Sequence, residues 1–211
     1  MESLEKITLK QMFTDPKLSG LADGLAQLPL PDKFKIGRSK FAIPKDLDEF
    51  TENICYGQRL FLVRKEDNDI GMILRVIDGY YYTLFTKKTW DEDKALLFGK
   101  KVITLKVVNL YPIAMHLVTL ISEMVEREQK LLHRDPTKQE KAAGIDKLNI
   151  FSELNALDFL RDSLKKTIEE VMLTPYNECL VRFMREKEVG AYQERYMEVI
   201  KRESESKSKY K

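Results

Sequence analysis

The stretch that decides the fold is 69-DIGMILRVIDGYYYTLF-85. Two periodicities compete in it. Ile70, Ile73, Leu74, Ile77 and Tyr81 recur at threes and fours, as one face of a helix does. Asp78-Gly79, however, lies between two runs rich in β-branched and aromatic residues. In that setting Asp-Gly is a favoured hairpin turn, because both central residues of a type I′ turn take positive φ. The local signal therefore predicts strands over Met72–Ile77 and Tyr80–Phe85. On such a strand Tyr80 and Tyr82 share one face and Tyr81 takes the other, leaving one aromatic face for the core and one for a protein interface.

Upstream, FKIGRSKFAIP alternates around Gly37-Arg38-Ser39 and predicts a smaller hairpin with strands near Phe34–Ile36 and Phe41–Ile43. Two short strands are not stable alone in water, so they must lie on a helical body or pair with further strands. Residues 1–32 read as a lead-in with short helices near Leu4–Phe13 and Leu21–Leu28, stopped by Pro29 and Pro31. A short helix is expected from about residue 51 to the polar break KEDND at 65–69.

Downstream, TKKTWDEDKALLFG suits a short helix or loop with Thr89 as cap and Gly99 as its end, and KKVITLKVVNL at 100–110 suits a further strand. The strongest helix is Ile113–Leu132, whose Leu117, Leu120, Ile121, Met124 and Val125 make one stripe, with Pro112 compatible with its first turn. HRDPTKQEKAAGIDK reads as a loop or hinge. A second stripe then runs through Leu154, Leu157, Leu160, Leu164, Ile168, Val171 and Met172. A third runs through Tyr176, Leu180, Phe183 and Met184, is interrupted near Gly190, and resumes at Tyr192, Tyr196, Val199 and Ile200.

The expected class is mainly α: a helical bundle with a small β component, hairpins lying near residues 34–43 and 72–85. The chain divides into an N-terminal lead-in with short helices and hairpins (1–110), a helical bundle (111–203) and a basic flexible tail (204–211), with one shared core. At 211 residues, 43% hydrophobic and 33% charged, it has the composition of a globular chain with a heavily charged surface. A net charge of +2 supplies no global field for a polyanion, so any nucleic-acid contact must be local, as at Lys87-Lys88, Lys100-Lys101, Lys165-Lys166 or the tail. Two cysteines suit a reducing compartment rather than a disulfide scaffold. MESLEKITLK has no secretory pattern, and the apolar window Tyr111–Ile121 is broken by Pro112, His116 and Thr119, so no membrane segment is expected.

The one stretch that invites a catalytic reading is 52-ENICYGQRLF-61. A cysteine phosphatase loop needs arginine at the sixth position after the cysteine; here that position is Phe61. His116 lies in an apolar helix start and His133 at a helix end, neither set to activate a thiol. Two Cys and two His far apart offer no zinc spacing. FGKK at 98–101 lacks the first glycine and the Ser or Thr of a P-loop, and DNDIG lacks the ligand spacing of an EF-hand. The expectation is a chain that is not an enzyme, with no cofactor and no metal.

FAIPKDLDEFTENICYGQRLFL resembles a pattern of tailed-bacteriophage morphogenetic proteins, in which Ile-Pro follows an apolar strand, a Leu-x-x-hydrophobic-Thr step comes next, and an aromatic residue with Gly-Gln opens a helix. Ile43-Pro44, Leu47, Phe50-Thr51 and Tyr56-Gly57-Gln58 occupy those places, with ENIC lengthening the link. The helical remainder is similar in flavour to neck, ring, cargo and tail-assembly proteins, including those of crAss-like gut phages. The resemblance implies a non-enzymatic assembly role in the virion or host cytoplasm. It implies other virion or assembly proteins as partners and a homo-oligomer within a larger assembly, with nucleic acid an optional partner. Edge strands and termini completed by neighbours make Phe34, Ile36, Phe41, Ile43, Tyr80, Tyr82, Arg202, Lys207, Lys209, Tyr210 and Lys211 the candidate interaction residues. A tail assembly chaperone binding one extended partner, and a local nucleic-acid-binding module, are the alternative readings.

Overall fold

A computed structural model describes residues 6–15, 18, 24–25, 27–64 and 69–208. The fold is mainly α with a small β component, as the sequence predicts, and among the described residues that component is one antiparallel hairpin. After α1 (Leu9–Thr14) come β1 (Lys33–Ile36) and β2 (Ser39–Ala42), paired with Phe34 opposite Phe41. Gly37 takes φ +57° in the turn, a conformation that favours glycine. Next are α2 (Leu47–Glu52), α3 (Tyr56–Leu62), α4 (Asp69–Thr86), α5 (Glu92–Val102) and α6 (Val107–Leu132). The chain ends with α7 (Lys138–Ala143), a 3₁₀ segment (Ile145–Phe151), α8 (Ser152–Leu164), α9 (Ile168–Met172) and α10 (Tyr176–Ser208).

The second expected hairpin is not there. Residues 69–86 are one helix, α4, and the period of three and four wins over the Asp-Gly turn signal. The reason is tertiary. Ile73, Val76, Ile77, Tyr80, Tyr81 and Tyr82 are all buried, and side chains on three sides of the rod pack against α3, α5, α6 and the hairpin. A strand would put alternate residues of this run in solvent. Gly79 serves close approach: a Cβ there would lie 2.7 Å from Leu62 Cδ2 and 3.0 Å from Phe61 Cδ1 of α3. Phe50 stacks on Tyr80 with ring centroids 5.1 Å apart, and Phe34 meets Tyr81 at 4.3 Å.

The strand expected over 100–110 is likewise helix, turn and helix, with α5 running to Val102 and α6 starting at Val107. Asp91, not Thr89, caps α5 by accepting from the Lys94 N–H, and Gly99 is buried inside the helix. Lys100 and Lys101 fall in its last turn, where cations meet the negative end of the helix dipole. α6 begins six residues earlier than the sequence suggests and carries Pro112 within its first two turns. By length and composition it is apolar enough to cross a bilayer. In this fold it is the central rod, with α1, α2, α4, α10 and β1 against it.

The 133–147 segment is more ordered than a loop. Thr137 and Glu140 form a reciprocal capping box at the start of α7, and Gly144 ends it at φ +82°. α10 passes through Gly190 unbroken and includes residues 204–208, which the sequence suggests as flexible tail. Of the expected lead-in helices, the first appears as α1, shifted toward Thr14, while the second falls mostly outside the described residues. One buried cluster runs from Ile7 to Leu180 and draws on both sides of residue 110. A smaller one joins Tyr56 and Leu60 to Leu160, Val171 and Cys179.

Candidate interaction surface

The residues that carry the phage resemblance are structural cement. Pro44 presents its carbonyl to His116 Nε2 of α6 at 2.7 Å. Thr51 is buried, and its Oγ1 accepts from Arg127 Nη2 at 3.2 Å while Arg127 Nη1 donates to Asp48 at 3.1 Å, tying α2 to α6. Gln58 bridges two elements: its Oε1 accepts from the Cys55 N–H at 3.1 Å, and its Nε2 donates to the Gly79 carbonyl at 2.7 Å. Gly57 lies inside α3, where it serves close approach: a Cβ there would lie 2.8 Å from Trp90 Cδ1 and 2.9 Å from the Met172 carbonyl.

The start of α3 is also stapled to the start of α10. The Tyr56 N–H donates to Thr174 O at 2.9 Å and the Tyr176 N–H to Ile54 O at 3.1 Å, flanking a bridge between Cys55 and Pro175. Burial pushes the Cys55 thiol up and the Cys179 thiol up to about 12, so both stay protonated at neutral pH, the wrong form for a nucleophile. Among the described residues, no group of three or more His, Cys, Asp or Glu is placed to hold a metal ion.

Beside this staple is a cavity of about 230 Å³ lined by Tyr56, Arg59, Glu128, Ser152, Glu153, Tyr176 and Phe183 among others. Arg59 grips Glu128 through two contacts, Nε to Oε1 at 2.9 Å and Nη2 to Oε2 at 2.5 Å. The pair is mostly withdrawn from solvent, at 19% and 13% exposure, so its two charges are spent on each other.

Among the described residues, the structure places most of the candidate interaction residues away from the surface. Phe34, Ile36, Ile43, Tyr80 and Tyr82 are buried and Phe41 is half-buried, because the hairpin lies face-down on α4 and α6. They are core, a correction to the aromatic-face reading of 80–85. Arg202 is exposed and pairs with Glu198 one turn back. Lys207 falls within the span of α10, and Lys209, Tyr210 and Lys211 lie outside the described residues. Of the lysine pairs, Lys101 lies over the Phe85 ring at 5.4 Å and Lys166 donates to Thr174 at 3.0 Å, so neither is given over to solvent alone.

What stands in solvent instead is apolar and C-terminal. Leu148, Ile150, Phe151 and Leu154 are exposed around the start of α8, Ile150 at 80%. Along α10, Val181, Val189, Tyr192, Tyr196, Met197, Val199 and Ile200 are exposed. The stripes are visible in the sequence, but the periodicity does not say whether a stripe is covered. Compared with known proteins, the chain matches no family model, no curated protein and no solved structure.

Proposed function

We propose that this chain is a non-enzymatic structural or assembly protein of a tailed phage particle, a subunit of a neck, tail-ring or internal assembly held by protein–protein contacts. The observation that carries the proposed binding role is the distribution of exposed large apolar side chains: among the described residues, all but Leu28, Leu30, Leu96 and Leu97 fall at or after Leu148. Scattered single exposures are ordinary, whereas several on one helix face, as at Val189, Tyr192, Tyr196 and Val199 of α10, suit a surface that a partner covers. The resemblance over residues 41–62 supplies the phage context. The protonated thiols, Cys55 half-buried and Cys179 buried, and the paired Arg59–Glu128 wall suit a scaffold better than a reaction centre.

Quantitative mass spectrometry of gradient-purified particles from a phage encoding this chain tests the reading. The expected result is a fixed, multi-copy stoichiometry relative to the capsid protein. A chain abundant in infected lysate yet missing from particles would overturn the virion role in favour of an assembly chaperone. Retention on DNA that weakens steeply with salt would point to the nucleic-acid module.

A further inference from the structure

The outer part of α10 is oriented opposite to a helix of a self-sufficient domain. At about 100° per residue, Lys187 and Glu194 share one line along the rod. Both face the body: Lys187 Nζ donates to Leu131 O at 2.8 Å, and Glu194 pairs with Arg134. About half a turn away, Val189, Tyr192, Tyr196 and Val199 are 39–61% exposed, with the two tyrosine rings stacked at 6.2 Å. Their spacing of three, four and three is the a and d seam of a coiled coil, and Lys187 and Glu194 occupy the position farthest from it. The same seam carries Arg182 and Arg185 on one side and Glu203 on the other, so the apolar part is confined to two heptads.

We propose that this seam pairs with the seam of a second copy of the chain, antiparallel, about a two-fold axis between Tyr192 and Tyr196. The proposal rests on the reading of the chain as an assembly protein and names one partner as the chain itself. Charge decides the direction. In the antiparallel register Val189 faces Val199 and Tyr192 faces Tyr196 of the other copy, and the flanking Glu188 meets Arg202 twice by symmetry. In a parallel pair the flanks would set Glu188 against Gln193 and Arg195 against Ile200, with no ion pair. The antiparallel register has one signature of its own: Arg195 meets the second copy's identical arginine near the axis.

Sedimentation equilibrium of the full chain over about 1 to 200 μM reads the monomer–dimer constant. The expected result is a reversible dimer that Tyr192→Ser with Tyr196→Ser abolishes. Far-UV circular dichroism and, at concentrations where both chains are monomeric, the unfolding midpoint should stay unchanged, since both rings are exposed. Glu188→Arg or Arg202→Glu alone weakens the dimer about tenfold, the effect of replacing two flanking ion pairs by repulsion. The double exchange restores it, and Arg195→Gln tightens it severalfold. A full chain that stays monomeric through this range overturns the proposal, as does a dimer indifferent to the tyrosine changes or one that the double exchange fails to restore. None of these outcomes alters the particle stoichiometry, so self-pairing and the virion role fail separately.

Discussion

Asp78 is 2% exposed, on α4 against α5 at Gly99, and its Oδ1 has no hydrogen-bond partner among the described residues. Burial pushes this carboxyl up to about 8. Between its ordinary value of 3.8 and about 8 the folded chain holds a proton that the unfolded chain releases. This group's effect on stability is therefore most favourable below about 4 and is lost as pH rises through that window. Urea unfolding at pH 5, 7 and 9 should show stability falling by several kcal/mol across the series, and Asp78→Asn should flatten the fall. Gly57 gives a second prediction at this scale. Gly57→Ala brings a methyl against a backbone carbonyl that cannot turn aside, and should cost about 1 to 3 kcal/mol in the same assay. The Arg59–Glu128 pair gives a third. Glu128→Ala leaves a largely desolvated guanidinium unpaired and should cost about 3 kcal/mol, whereas replacing both partners by leucine should cost less than the two single changes summed.

At the scale of elements, the test is which apolar stripes are covered. Phe50→Ala, which removes a ring stacked between α2 and α4, should cost about 3 to 5 kcal/mol by thermal unfolding. Tyr196→Ala on the outer face of α10 should leave monomer stability within about 0.5 kcal/mol. Sequence alone does not separate these two, since an aromatic side chain beside or within a helix reads the same whether or not a neighbour covers it. It identifies the 34–43 hairpin because alternation and a glycine turn agree there. It misreads 69–85 because Asp-Gly is a local signal, while burial on three sides of α4 is a property of the assembled neighbours α3, α5 and α6. The strand reading of 100–110 fails similarly: β-branched residues there pack well on helices once both flanks are helical. Gln58 and Thr51 are legible as part of a motif, but their partners, Gly79 and Arg127, lie too far along the chain to be read from it.

For the whole molecule, the buried members of the main cluster end at Leu180, while α10 extends beyond it with apolar residues in solvent. The proposed assembly role rests on that asymmetry, whereas Phe34, Tyr80 and Tyr82, which the sequence suggests for an interface, are core. The staple between α3 and α10 adds a kinetic consequence. Its two hydrogen bonds join residues separated by roughly 120 positions, so forming them closes most of the chain into a single loop, and such closures come late in folding. The amides of Tyr56 and Tyr176 should therefore gain protection from deuterium together, after those of α4 and α6, and lose it together when α10 peels away.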